Sequence, residues 1–486
     1  MGHEAGILSF GAYIPRLRLQ RKAIAAANSW FNPGLRGMAR GERAMANWDE
    51  DTVTMAVEAA RDCLSRFDRG SVASLYLAST THPFDDRQNA SIAAGALNLR
   101  PTLRSLDAGG SLRAGTSALA TAFAAAPAAE GGVLVAAGEH RLARAASAQE
   151  MHYGDGAAAF LIGSGQPIAS LVGAHSETVD FVPQYRASDH AYDYAWEERW
   201  IRDEGFMKIV PRTISALLKA AGVEGASVSA FCLPCTLSRV VPALAKRLGI
   251  ADGAVRDNLG AVCGDTGAAH PLVMLAQALE DANPGDLILV AALDGGCDAL
   301  LVRVTEAIKA LPARRGVKGS LAQRKEETVY QKYLAFNDLV ALERGMRAEA
   351  DKGTPLSLLY RNREMVTGFL GGRCRHCGTV QYPRGRYCVN PQCNALDSQD
   401  DQPFAERAAT VMSYTADLLT YCPDPPAYYG MVDFDAGGRM MIDFTDVDEG
   451  KVDVGTPMRM MFRIKDVDAA RGFVRYFWKA APLGAA

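Results

Sequence analysis

Cys374, Cys377, Cys388 and Cys393 are spaced C-x2-C and C-x4-C with ten residues between the pairs, and Tyr382, Pro383 and Gly385 turn the chain between them. Four thiolates at this spacing can close a tetrahedron around Zn2+. A metal held by four protein ligands keeps no open position, so the expected site is structural. The longer second knuckle removes no ligand. Upstream, other residues have types suited to acid–base or nucleophilic work. "SLDAGGSLRAGTSAL" (105–119) reads as a strand end, a glycine turn and the start of an Ala-rich helix. Such a helix start lowers the pKa of a thiol and holds an oxyanion, but Ser111, Leu112 and Arg113 fill this turn and no cysteine does. Asp265 and His270, five residues apart in "CGDTGAAH", share a turn and a helix start, close enough for a carboxylate and an imidazole to meet one pocket. Cys232 and Cys235 follow an apolar run, and His82 stands on a polar loop. A lone histidine at a helix start also serves as a structural hydrogen-bonder, and a cysteine ending an apolar strand is by default a small buried hydrophobe. Cys263 and Cys297 are expected to be packing residues.

The elements that must position these residues repeat along the chain. Residues 1–305 alternate apolar strand-like runs with Ala-rich helical ones, the α/β pattern. "VASLYLASTTHP" (72–83) and "VSAFCLPCTLS" (228–238) are strands entering polar loops, and each is followed by a Gly-rich turn into a small-residue helix, "GGSLRAGTSALATAF" (109–123) and "CGDTGAAHPLVMLAQAL" (263–279). Each half then closes with two strands. Two copies of one unit predict a pseudo-twofold domain in which the two turns can face each other. The run "DYAWEERWIRDEGF" (193–206) reads as a solvated helix with an aromatic face. A charged, mostly helical linker is expected over 306–365, the cysteine knuckles over 366–401, and five short strands over 402–486 that fit a small barrel.

Length and composition bound the function. A chain of 486 residues exceeds the roughly 250–300 at which single cores stop growing, so several domains are expected. A net charge of −3 and 22% charged residues give no sign of nucleic acid or a membrane surface as partner. The N-terminus lacks a basic segment followed by an apolar core, and no run of about 18 apolar residues occurs, so a cytoplasmic protein with reduced thiols is expected.

Residues 1–305 resemble the 3-hydroxy-3-methylglutaryl-CoA synthase branch of the thiolase superfamily, through "ILSFGAYIPRLRL", "DEDTVTMAVEAARDCL", "STTHPF", "RAGTSAL", "YGDGAAAFLIG" and "NPGDLILVAALDGG". The ribbon together with "ATVMSYT" and "PDPPAYYGMVDF" resembles acyl-CoA-associated proteins that join a leading helix and a rubredoxin-like zinc ribbon to an OB fold. The fold class implied is α/β: a thiolase-like duplicated αβαβα domain, then a zinc ribbon and a small β-barrel (OB fold). The resemblance also implies coenzyme A as part of the substrate and at least a homodimer, and its fold would let the inserted run 193–206 line the acyl pocket. Its catalytic residues are altered at every matched position. The glutamate base falls on Thr80, the nucleophilic cysteine on Leu112, the histidine on Cys232 and the asparagine on Asp265.

With the acyl-accepting cysteine lost, aldol chemistry remains accessible, since it needs one base and one oxyanion site. The expectation is an acyl-CoA carbon–carbon bond enzyme, aldolase-like or thiolase-like. His270 or His82 would be the base, Asp265 would orient or share the proton, and the N–H groups of Ser111, Leu112 and Arg113 would hold an enolate oxygen. A second route keeps covalent catalysis, with Cys232 as nucleophile and His82 as base. The alternative from another class is a catalytically silent acyl-CoA-binding scaffold or partner subunit.

Overall fold

The computed structural model describes residues 5–129, 131–349, 353 and 355–483, so the first residues of the domain expected from 1 and the last of the one expected to 486 lie outside the described residues. The chain divides into two compact units, one of residues 1–47, 51–94 and 99–333, the other of 48–50, 95–98 and 334–486.

In the first unit nine strands form one sheet: β1 (Gly6–Tyr13), β2 (Val72–Ala78), β3 (Arg104–Ala108), β4 (Gly132–Glu139), β5 (Gly156–Gly163), β6 (Ala169–Thr178), β7 (Ala230–Cys232), β8 (Leu287–Leu293) and β9 (Gly296–Val304), ordered β7-β8-β9-β6-β1-β5-β4-β2-β3. Every residue of β4 and β5 is buried, as continuous apolar runs require when helices cover both faces. The predicted duplication is present. In the first half β2 runs parallel to β3 and β4, while β4, β5 and β1 alternate. In the second, β7 runs parallel to β8, while β8, β9 and β6 alternate. The halves meet through two residue pairs, Gly6 with Ser170 and Ile7 with Ala169. The counterpart of β3 is reduced to one bridge between Phe231 and Val255.

Four helices matter most here: α1 (Thr52–Cys63), α2 (Ala114–Ala125), α3 (Val210–Ala221) and α4 (His270–Glu280). Asp51 caps α1, its carboxylate accepting from the Thr54 N–H at 2.8 Å in a capping box. The small-residue helices α2 and α4 form the middle layer, α2 touching β4 and β9, α4 touching β5 and β8. Their close approach depends on Gly115, where a Cβ would come within 2.3 Å of the Ala268 carbonyl oxygen. The two Gly-rich turns therefore face each other, as the repeat predicts.

Two segments differ from expectation. Residues 306–333 belong to the first unit, with Val317 fully buried and a strand at Lys325–Glu327 pairing in parallel with Leu17–Leu19. Charged composition hid this because the segment's partners lie far away in sequence: the Arg315 and Gly316 N–H groups both donate to Asp62 at 2.9 Å, and the Arg324 guanidinium pairs with Glu42. The run 193–206 is not one solvated helix. It forms a short strand at Tyr194–Ala195, one helical turn at Glu198–Trp200 and a π-helix at Ile201–Ile209 that runs into α3. Pro211 cannot donate a hydrogen bond, and the Met207 carbonyl receives Arg247 Nη1 at 2.5 Å while the Val210 N–H reaches back to Gly205.

The second unit carries a three-stranded sheet of β10 (Leu370–Cys374), β11 (Val380–Gln381) and β12 (Gln399–Pro403), and a five-stranded one of β13 (Ala409–Asp417), β14 (Ala427–Phe434), β15 (Arg439–Asp443), β16 (Pro457–Asp468) and β17 (Phe473–Pro482), ordered β15-β14-β13-β16-β17. All five expected runs are strands. A bridge from Phe444 to Ala480 links the edges of the larger sheet around Phe462 and Trp478, both fully buried. Among the described residues no helix is long and apolar enough to cross a membrane.

Candidate active site

Asp265 lies in the turn before α4. Its N–H donates to the His152 carbonyl at 2.8 Å and its own carbonyl accepts from the Gly154 N–H at 3.0 Å. Gly154 permits this approach, since a Cβ there would meet the Cys263 carbonyl oxygen at 2.1 Å. The stretches "CGDTG" and "MHYGDG" thus interlock and set His152 beside Asp265. Arg141, just after β4 and 1% exposed, donates Nη2 to Asp265 Oδ2 and to the Asp265 carbonyl, both at 3.0 Å. Its guanidinium lies 3.8 Å over the Tyr153 ring, and the Tyr153 hydroxyl donates to Asp193 at 2.9 Å. Burial alone would raise the Asp265 pKa, but the Arg141 charge, and after it His270, hold the carboxyl below its usual value. Asp265 is therefore an anion at neutral pH, with 23% of its side chain exposed.

A cavity of about 190 Å3 opens on Asp265, His152 and Cys235, with Leu112, Phe206 and Leu293 among its apolar walls. A second, of about 210 Å3, shares those three residues and adds Arg21, Asn258 and His270. The inserted run lines the first cavity through Trp196, Ile201 and Phe206. Gly205 lets the wide helix lie against it, because a Cβ would come within 2.9 Å of Phe181 and Leu293. Burial, and then the Arg21 charge, hold His152 below the ordinary imidazole value of 6.5, so a neutral base faces both cavities.

Several expected residues stand elsewhere. Cys232, the last residue of β7, is fully buried, its thiol donates to the Met274 carbonyl at 3.6 Å, and burial pushes it up to about 12. The strand ends there and the chain turns through Pro234, so Cys235 and not Cys232 reaches the cavities, where burial likewise pushes its thiol up to about 12. His270 has no lone pair left for catalysis. Its Nδ1 accepts the Thr266 N–H at 2.9 Å, its Nε2 donates to the Asn258 carbonyl at 2.8 Å, and it is 2% exposed. His82 lines neither cavity and sits 3.4 Å from the Ala108 carbonyl.

The helix-start anion seat is occupied from within the protein. The Leu112 N–H and, at 3.1 Å, the Ser111 hydroxyl both donate to Asp294, whose pKa burial raises. Arg113 reaches Asp298 at 2.9 Å and the Gly295 carbonyl at 3.0 Å. These three residues thus hold the β8–β9 hairpin, and only the Leu112 side chain faces the cavity. The Thr80 N–H donates at 3.1 Å to Glu139, a buried carboxylate that also accepts from Ser79 and Ala268. Cys263 and Cys297 are buried packing residues, as expected.

Reasoning from sequence missed His152 and Arg141 as groups around Asp265, and of the pair Cys232 and Cys235 it chose the one that lines neither cavity. His152 directly precedes "YGDG" and Arg141 follows the strand "GVLVAAGE", so motif adjacency was the available signal. Arg141→Ala should leave Asp265 without its cation and destabilise the first unit by about 3–5 kcal/mol. A urea midpoint equal to wild type would contradict that network.

In the second unit the four cysteine Sγ atoms lie within 4.8 Å of one another, with Cys374 to Cys393 at 3.9 Å and Cys377 to Cys388 at 3.5 Å. Zn–S bonds of about 2.3 Å in a tetrahedron put sulfurs about 3.8 Å apart, so the cluster fits a zinc ribbon. Gly378, at φ 74°, lets its N–H reach the Cys374 carbonyl at 2.9 Å in the first knuckle. The second closes with the Cys393 and Asn394 N–H groups on the Asn390 carbonyl, which absorbs its extra length.

Comparison with known proteins agrees with both units. Residues 403–463 match the family described as ChsH2, C-terminal OB-fold domain, and residues 218–304 the family described as 3-oxoacyl-[acyl-carrier-protein (ACP)] synthase III C terminal. Hydroxymethylglutaryl-CoA synthase of Methanobrevibacter smithii is 26% identical over 347 residues, covering 69% of this chain and 99% of the relative. That of Archaeoglobus fulgidus is 28% identical over 341 residues, covering 68% and 97%. Among solved structures, an HMG-CoA synthase complexed with CoA aligns with a TM-score of 0.61 at 17% identity, covering 72% of this chain and 94% of the other. The 3-oxoacyl-[acyl-carrier-protein] synthase III of Aquifex aeolicus aligns with a TM-score of 0.54 at 21% identity, covering 62% and 99%. The first unit has the thiolase-type fold of these acyl-condensing enzymes.

Proposed function

We propose that this thiolase-fold chain, a homologue of acyl-CoA condensing enzymes, makes or breaks a carbon–carbon bond in an acyl-CoA thioester in the manner of an aldolase, without an acyl-cysteine at the helix turn. One observation carries the reading: an ionised Asp265 and a neutral His152 face the same cavity, where Leu112 stands in place of a nucleophile. In the cleavage direction His152 takes the proton of a 3-hydroxyl group, and the neighbouring Asp265 carboxylate stabilises the imidazolium that forms. The C2–C3 bond then breaks, C3 becomes a carbonyl, and the electron pair passes into the thioester as an enolate. The proton returns from His152 to C2, releasing a shorter acyl-CoA. Thiolase-like transfer through sulfur would fall to Cys235, whose thiol burial holds in the protonated form at neutral pH.

The carboxylate of Asp294 in the anion seat favours a second reading, a silent acyl-CoA-binding scaffold or partner subunit, since a thioester oxygen would have to displace it. Incubating the full chain with a panel of 3-hydroxyacyl-CoA esters, and following acyl-CoA species and intact protein by mass spectrometry, separates the readings. A shortened acyl-CoA with no mass gain on the protein is expected. An acyl increment abolished by Cys235→Ser would replace this route with a covalent one, and binding without product would leave the scaffold.

The proposal extends to a cytoplasmic homodimer with structural zinc on Cys374, Cys377, Cys388 and Cys393. Its domain limits become 1–333 for the thiolase-like domain, 334–365 for the connecting segment, 366–401 for the ribbon and 402–486 for the OB fold.

A further inference from the structure

The two cavities at Asp265 differ in charge. Among the described residues that line the first, none is lysine or arginine, while two, Asp265 and Glu198, are carboxylic acids. Arg141, behind Asp265, is already engaged: it is bound to Asp265 at 3.0 Å and stacked on Tyr153. Arg113 is likewise tied to Asp298 and the β8–β9 turn. The remaining walls are largely apolar, and a volume of about 190 Å3 lies below the roughly 300–1,000 Å3 of drug-sized ligand sites. A carboxylate entering this space would face Asp265 with no cation among the residues that line it, since Arg21 lines only the second cavity and donates there to the Arg40 and Gly260 carbonyls, and like charges brought together in a partly desolvated site repel strongly. A hydroxyl group, by contrast, finds acceptors in Asp265 and His152.

We propose that the cavity admits short, uncharged, hydroxylated acyl groups and rejects those ending in a carboxylate, with Asp265 as the residue that sets this selectivity. The inference rests on the acyl-CoA reading above and deepens it. It also separates this chain from the relatives, whose named product group, 3-hydroxy-3-methylglutaryl, carries a carboxylate. The loss of a condensing nucleophile and the exclusion of a carboxylated acyl group both arise around one cavity, the first at Leu112 and the second at Asp265.

The test is a matched pair of esters that differ by that carboxylate, 3-hydroxy-3-methylbutyryl-CoA and 3-hydroxy-3-methylglutaryl-CoA. Their binding to the full chain would be measured by titration calorimetry. Wild type should bind the uncharged ester at least about tenfold more tightly, and Asp265→Asn should remove most of that gap. Equal or tighter binding of the glutaryl ester by wild type, or an unchanged gap in Asp265→Asn, would overturn the inference. Should Asp265→Asn not fold, the glutaryl ester with its carboxylate converted to an amide decides on wild type alone. Recovered binding supports the proposal and unrecovered binding refutes it. Selective binding without cleavage would remove the aldolase reading and keep this inference, whereas no binding of either ester would remove the acyl-CoA reading and this inference together.

Discussion

His152→Ala should lower the rate of acyl-CoA cleavage by about 10²–10⁴-fold with a much smaller loss of ester affinity, because the imidazole supplies the proton transfer and only one of the contacts to the hydroxyl group. The pH profile gives an independent reading. Burial, and next the charge of Arg21, hold the folded pKa of His152 below 6.5, so the neutral, basic form predominates at pH 7. The acidic limb of kcat should therefore fall off only as pH drops below the ordinary imidazole range. Removing the Arg21 charge with Arg21→Gln should move that limb upward, since a nearby cation disfavours the imidazolium. Full turnover in His152→Ala, or a limb that stays in place in Arg21→Gln, would remove His152 from the role of base.

The second large effect concerns the ribbon. Structural zinc contributes about 10–16 kcal/mol to the folding of small zinc modules, so Cys388→Ser or strong chelation should unfold residues 366–401. The signal is available in Trp478, which is fully buried, stacks on Phe369 at 5.8 Å between ring centres and donates its indole N–H to the Thr367 carbonyl at 2.8 Å. Loss of the ribbon frees Phe369 and Thr367, and Trp478 emission should shift to the red. Cys422→Ser, outside the cluster, should leave both zinc content and emission as they are. Freshly purified protein without zinc, or Cys388→Ser protein that keeps a full complement, would refute the assignment.

Much of the architecture was legible in the chain because it depends on periodicity and spacing. The duplicated unit could be read from paired strand–turn–helix stretches, and the barrel from five alternating runs. The four-cysteine site followed from intervals alone, since thiolates on two tight knuckles have few other ways to point. What periodicity could not resolve was one residue's position against another across the fold. Cys232 and Cys235 are three residues apart, and a strand ending at the first, followed by Pro234, carries the second to the cavity. The residues 306–333 looked like a linker because their partners are distant in sequence, Glu42 for the Arg324 charge and Asp62 for the Arg315 and Gly316 N–H groups.

The sequence by itself therefore determined that this chain has a duplicated α/β domain, a four-cysteine cluster that fits a zinc ribbon and a small barrel. Local patterns carry such features through backbone geometry and ligand spacing. Only the tertiary structure decided what the polar residues do. His270 and Asp265 are equivalent as candidates in "CGDTGAAH", yet one is bonded through both ring nitrogens and the other opens on the cavity. The turn at Leu112 reads as a vacant anion seat until Asp294, 182 residues away in the chain, is seen to fill it. Protonation state and availability for catalysis are set by burial and by the partner of each hydrogen bond. Those partners come from segments that sequence distance does not reveal.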